Sequence, residues 1–361
     1  MKYINEYRDK ELITKLANQI RTIASGKYTF MEVCGGHTAA IHRFGIPSLL
    51  PDNIRLISGP GCPVCVTGTD FIDRAITYSA MDDFIIATFG DLVRVPGTFS
   101  SLEKERSSGS DIRIVFSGLE ALNIARSNPD KKVIFLGIGF ETTAPGTAVT
   151  IMEAQRAGID NFFVLSAHKI MPPAMEAIMK NGVLLDGFIC PGHVAAITGS
   201  DYFRFIPEKH ELACVISGFE PSDILQSVLM LVNQVNNSSP IPEIQYKRVV
   251  TREGNLIARE AMNEVFEPTN TLWRGLGMIR ASGLGLRDEF GNFDAEKKIA
   301  VRVISGKENP ACICGDILRG VRIPDDCSLF GSVCTPENPV GACMVSGEGA
   351  CNSFYRYRLN D

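Results

Sequence analysis

The chain is 361 residues long, enough for two or three domains of ~150 residues and too long for a single small disulfide-stapled module. Lys plus Arg number 36 against 41 Asp plus Glu, a net charge of −5 with no block of like charge, which argues against nucleic acid or acidic lipid as a general partner. With 45% hydrophobic and 21% charged residues, the composition is that of an ordinary globular protein.

The opening stretch carries Lys2, Glu6, Arg8, Asp9, Lys10, Glu11 and Lys15, which break the apolar core a secretory signal needs. No later run reaches ~18 apolar residues, so no membrane span and a cytoplasmic location are expected. Asn5–Ile23 has helical spacing and predicts an N-terminal helix. Eight short β-branched or aromatic runs follow: Phe30–Cys34, Ile54–Ser58, Phe84–Thr88, Ile112–Ser117, Val133–Gly137, Phe162–Ser166, Gly187–Cys190 and Cys214–Ser217. Helical stretches such as Ser117–Ser127 and Thr147–Ala157 lie between them. The runs are apolar throughout rather than alternating, which is what strands buried on both faces require, so an α/β fold with helix-covered parallel sheets is expected.

In chain order the strands divide four and four. Val115-Phe116-Ser117-Gly118-Leu119-Glu120 matches Val215-Ile216-Ser217-Gly218-Phe219-Glu220, and each closes one set. This predicts two similar Rossmann-like lobes, 17–129 and 130–234, behind an N-terminal segment 1–16; chance recurrence of a strand, a Ser-Gly turn and a helix start is the competing explanation. The polar, turn-rich Asn233–Pro242 reads as a linker. Beyond it, 235–361 forms a third unit with a strand-like Ile244–Thr251, helical Ala258–Phe266 and Ala295–Val303, and a cysteine-rich end.

Open parallel sheets bind ligands at the carboxyl ends of their strands, and here those ends are chemical. Cys62-Pro63-Val64-Cys65 follows the second strand at a helix start, where the helix dipole favours a thiolate; a redox dithiol is the leading reading and half a zinc site the other. Cys34 is followed by Gly35, Gly36 and His37, so a ligand can approach the backbone beside a thiol and an imidazole. Glu141-Thr142-Thr143 after Gly137-Ile138-Gly139 resembles an anion loop without completing a nucleotide motif. His168 and His193 at strand ends could orient or protonate a group in the cleft, or be structural. Cys190 and Cys214 fall inside apolar strands and read as inert.

Eleven cysteines in a reducing compartment are seldom structural disulfides. Cys312, Cys314, Cys327, Cys334, Cys343 and Cys351 crowd the end of the chain; thiolates without a neighbouring histidine suit an iron–sulfur cluster better than zinc, though a four-cysteine zinc site stays open.

Taken together, Cys34-Gly35-Gly36-His37, Gly59-Pro60-Gly61-Cys62-Pro63-Val64-Cys65, Gly139-Phe140-Glu141-Thr142-Thr143-Ala144-Pro145, Pro191-Gly192-His193 and the C-terminal cysteine frame resemble the HypD family of [NiFe]-hydrogenase maturation factors over nearly the whole chain. The family's C-x14-C-x6-C-x16-C pattern falls on Cys312, Cys327, Cys334 and Cys351. The resemblance implies a [4Fe–4S] cluster on these four, with Cys314 and Cys343 as extra thiols. It further implies a redox scaffold, monomeric on its own, on which the Fe(CN)2CO group is assembled. Its partners would be a HypC-type chaperone and a HypE-type cyanide donor, with iron held transiently at Cys34, His37 beside it as a second ligand or proton donor, and electrons passing through Cys62 and Cys65. Gly35, Gly36, Glu141, Thr142, Thr143 and His193 would line the site. A stand-alone iron–sulfur disulfide reductase is the alternative.

Overall fold

The computed structural model describes residues 5–357 apart from 181, 305 and 307; the first four residues of the expected N-terminal segment and the last four of the expected C-terminal unit lie outside the described residues. Each of the eight expected runs overlaps a strand, the first offset by two residues: β1 (Tyr28–Glu32), β2 (Ile54–Ser58), β3 (Phe84–Thr88), β4 (Ile112–Ile114), β5 (Lys132–Gly139), β6 (Phe162–His168), β7 (Gly187–Pro191) and β8 (Ala213–Ser217). Three more follow, β9 (Pro242–Ile244), β10 (Phe266–Trp273) and β11 (Gly277–Leu286).

Two parallel sheets form, but not by halves of the chain. One has the order β2-β1-β7-β8-β9 and the other β4-β3-β5-β6. The strands expected to build the first lobe are therefore shared between both sheets: β3 to β6 make a complete sheet inserted between β2 and β7. Taken by itself, each sheet runs second-first-third-fourth, so the two lobes are alike in topology while one is nested in the other. The matching hexapeptides do not mark this likeness, because one follows the second strand of its sheet and the other the fourth. Their helix starts differ too: Ser117 caps the helix Gly118–Ser127, whereas the later helix Pro221–Asn236 is capped by Glu220.

Asn233–Pro242 is correspondingly not a boundary. The helix runs to Asn236, and the chain then enters β9, which extends the first sheet beside β8. Ile244–Thr251 is not a strand beyond Ile244, because the chain turns there, with Val249 and Val250 N–H both donating to the carbonyl of Tyr246. The helix expected over Ala295–Val303 stops at Lys298, before the β-branched Ile299, Val301 and Val303.

Apolar residues on both faces of the sheets explain the layering. One cluster lies between the sheets and joins Met31, Ile57 and Phe188 to Ile86, Ile134 and Leu136. On the far face of the first sheet, the helix Lys10–Ile23, capped by Asp9 on Leu12 N–H at 2.8 Å, buries Leu16 and Ile20 against Ile224 and Leu231. Each such side chain contributes roughly 1.5–3 kcal/mol. The antiparallel β10–β11 hairpin covers the second sheet with Phe266, Leu284 and Leu286. Sequence patterning misses it, since Pro268, Asn270, Gly283, Gly285 and a bulge between Thr269 and Thr271 interrupt the alternation.

Candidate functional site

The strand order places the chemistry. In the first sheet the chain leaves β1 toward β2 on one side, while β7 leads to β8 on the other, so a crevice opens between the loops after β1 and β7, which carry Cys34 and His193. The second sheet has the same reversal between β3 and β5. Its loops form a cleft of about 750 Å³ whose lining includes Phe89, Thr142, Thr143, Glu348 and Cys62.

Cys34 is the N-cap of the helix Gly35–Arg43 and is half-buried. Its N–H donates to Glu32 Oε2 at 3.0 Å, and the Thr38 hydroxyl donates to Glu32 Oε1. Glu32 is buried, which raises its carboxyl to about 8 despite those hydrogen bonds. Burial, then the neighbouring Glu348 and Glu32 carboxylates, push the Cys34 thiol up to about 12, so it waits as a thiol. Glu348 lies over Gly35. Gly61 locks this loop to the Cys62 turn: its carbonyl accepts from Gly35 N–H at 2.9 Å, and a Cβ there would stand 2.1 Å from Cys34 N.

The floor of the crevice is aromatic. Phe219 is sandwiched between His37, with ring centres 4.4 Å apart, and His193 at 4.0 Å. His37 is fully buried, its Nε2 stands 2.9 Å from the carbonyl of Gly218, and desolvation lowers its pKa to about 4, leaving it neutral at physiological pH. Of the expected anion loop, Thr142 and Thr143 face the cleft, whereas Glu141 turns into the protein. Its Oε1 accepts from Met171 N–H at 2.9 Å and Tyr202 Oη at 2.7 Å. His168 is fully buried with Nε2 2.8 Å from Thr147 Oγ1, a packing role. Cys190 and Cys214 are buried with their sulfurs 3.5 Å apart.

Cys62 caps the single-turn helix Pro63–Val66, its Sγ accepting from Cys65 N–H at 3.4 Å. The expectation that the helix start favours a thiolate at this pair is corrected at Cys65, where burial dominates and drives the thiol up. Cys343 is shifted the other way, its thiol lowered by the neighbouring Cys314 and Cys65 sulfurs. Cys65 thus lies beside Cys62, whose Sγ accepts its N–H, and near Cys343; Cys343 is near Cys314, and Cys314 is near both Cys312 and Cys351. Cys334 is near Cys312 and Cys314, its Sγ accepting from Val340 N–H at 3.3 Å.

Soft thiol donors such as these are the chemistry that iron–sulfur clusters use. Gly341 forms a cradle there, since a Cβ would lie 2.5 Å from Cys314 Sγ and 2.6 Å from Cys312 Sγ. Cys312, Cys334 and Cys351 each lie near Cys314, and half-buried Cys327 follows the turn Pro324–Asp326 that packs on the helix Ala350–Tyr357, the helix bearing Cys351. Among the described residues no group of three or more His, Cys, Asp or Glu is placed to hold a metal ion. Spacing alone left Cys314 and Cys343 without a place, yet they bridge the two thiol groups. It also passed over Glu32, Glu348 and Phe219; only Glu348, in Ser346-Gly347-Glu348-Gly349 between two cysteines, gave any signal.

The family model described as HypD, hydrogenase formation hypA family, matches residues 11–358. The hydrogenase maturation factor HypD of Azotobacter vinelandii is 48% identical over 367 residues, covering 99% of this chain and 97% of the relative. That of Cupriavidus necator is 46% identical over 368 residues, with the same coverage. That of Escherichia coli K12 is 42% identical over 372 residues, covering 100% and 99%. Among the described residues, no helix is long and apolar enough to cross a membrane. The chain belongs to the HypD family of hydrogenase maturation factors.

Proposed function

We propose that this chain is the redox scaffold on which the Fe(CN)2CO group of a [NiFe]-hydrogenase is assembled, with a HypC-type chaperone and a HypE-type cyanide donor as partners. The observation that carries the reading is the succession of neighbouring thiols from Cys62 through Cys65, Cys343 and Cys314 to Cys351, which begins on the loop locked to Cys34.

In this reading Cys34 receives the iron as cargo, a soft thiolate suiting a metal that carries CO and cyanide. Its proton must leave as the metal arrives, and the nearby Glu348 carboxylate offers an acceptor. His37 supports the crevice floor with Phe219; burial keeps it neutral, so it is no proton donor.

Releasing cyanide from a carrier S–CN bond consumes two electrons: the carrier leaves as a thiol, cyanide is freed, and the Cys62 and Cys65 thiols become a disulfide, giving up two electrons and two protons. The Cys343 thiolate lies near Cys65 and can attack that disulfide. Cys314 then displaces Cys65 from Cys343, restoring the first dithiol and leaving a Cys314–Cys343 disulfide. A [4Fe–4S] cluster on Cys312, Cys327, Cys334 and Cys351 would supply single electrons beside that second pair when bound.

The test is anaerobic co-purification with a HypC-type partner followed by infrared spectroscopy. Wild type should show bands of metal-bound CN and CO, and Cys34→Ala should lose them while keeping its fold. Bands of wild-type intensity in Cys34→Ala would place the iron elsewhere. Sustained disulfide reduction by the chain alone, given only an electron donor, would favour the stand-alone reductase.

A further inference from the structure

The tip of the β10–β11 hairpin takes no part in the scheme above, yet it joins the two thiol groups. On one side Arg274 N–H donates to the carbonyl of Val66 at 2.9 Å and Trp273 pairs with Thr67, so the tip is stitched to the turn that holds Cys62 and Cys65. On the other side Gly275 packs against Gly315, the residue after Cys314, so closely that a Cβ on Gly275 would meet Gly315 Cα at 2.4 Å.

The Arg274 side chain lies between these contacts with only 5% of its surface exposed. Its Nε donates to the carbonyl of Thr67 at 2.9 Å, and its Nη1 stands 3.3 Å from Glu308 Oε1, which also accepts from the Thr69 hydroxyl. Its Nη2 is buried with no hydrogen-bond partner among the described residues. Arg274 shares with Cys312, Cys314 and Gly341 the lining of a cleft of about 570 Å³, and its charge acts on the Cys312 sulfur in the sense that favours the thiolate.

A guanidinium that cannot lose its proton is costly to bury with a donor idle, unless negative charge faces it in the working state. The half-exposed Glu308 meets only one edge of the fork. We propose that Arg274 is a positioning residue for the C-terminal thiol site, holding the hairpin tip between the two thiol groups while its charge stabilises the reduced form of the group those cysteines bind. The proposal rests on the reading of Cys312, Cys327, Cys334 and Cys351 as cluster ligands.

One-electron reduction adds a negative charge to the cluster. A fixed cation in a low-dielectric wall lowers the energy of that charge, and salt screens it little. Lysine would keep the charge but not the fork that reaches Thr67, Glu308 and a third acceptor together.

The experiment uses the full chain, purified anaerobically, as wild type, Arg274→Lys, Arg274→Gln and Glu308→Gln. Iron and acid-labile sulfide are counted first, and the reduction potential is then followed by electron paramagnetic resonance. Arg274→Gln should keep its iron and shift to a more negative potential, with Arg274→Lys in between. Glu308→Gln, which frees the cation from its counter-ion, should shift the other way. An unchanged potential in loaded Arg274→Gln overturns the proposal; if that variant does not load, an unchanged potential in Glu308→Gln does so. Wild type lacking iron and sulfide sinks the cluster reading as well, which separates the two failures.

Discussion

Replacing Glu32 with Gln tests the buried carboxyl beneath Cys34. In the folded chain this group titrates at about 8, against an ordinary value of 4.5, chiefly because burial removes its hydration. Below pH 4.5 it is protonated in both folded and unfolded chains and costs nothing. Between 4.5 and about 8 the unfolded chain gives up the proton and the folded chain keeps it, so stability falls as pH rises, and the loss is complete above about 8. The shift corresponds to at most ~5 kcal/mol, at 1.36 kcal/mol per pH unit, a large share of the roughly 5–15 kcal/mol that holds a typical domain. Gln stays neutral; its one carbonyl oxygen can keep the bond from Cys34 N–H while its amide NH2 takes the other position and donates to the Thr38 hydroxyl, which can accept instead. Anaerobic urea unfolding at about pH 5 and about pH 8.5 should therefore show a stability gain for Glu32→Gln over wild type that is small at the lower pH and several kcal/mol at the higher. Taking variant minus wild type cancels His37, whose lowered pKa acts oppositely and costs stability as pH falls below 6.5. Equal pH slopes for the two proteins would show that Glu32 ionises normally in the fold and refute the argument.

Two further outcomes are expected. Ala at Cys312, Cys327, Cys334 or Cys351 should remove iron, sulfide and brown absorbance after anaerobic purification, while Cys343→Ala should keep them; full iron in Cys327→Ala together with loss in Cys314→Ala would replace the spacing-based ligand set with the contacting one. Mild oxidation should protect Cys62 and Cys65 together from alkylation, and reductant should reverse it; mass spectrometry finding both still alkylated would leave the proposed two-electron step without a donor.

Much of the site was legible from sequence because its parts are local. Cys34 with Gly35 and Gly36, and Cys62 with Cys65, are read from neighbours in the chain, and apolar runs closed by glycine turns mark buried parallel strands whatever sheet they join. The spacing of Cys312, Cys327, Cys334 and Cys351 is likewise a property of the chain alone. Strand partnership is not local. β3 to β6 close into a sheet of their own, and β7 returns to β1, because the pairing is fixed by which apolar faces can be buried together across more than a hundred residues. The same long-range packing turns Glu141 inward, stacks Phe219 between His37 and His193, and carries Arg274 to the thiols. It also sets Cys65 and Cys343 apart, since a thiol's acidity depends on the groups that fold around it: burial raises Cys65, while two sulfurs distant in the chain, Cys65 and Cys314, lower Cys343.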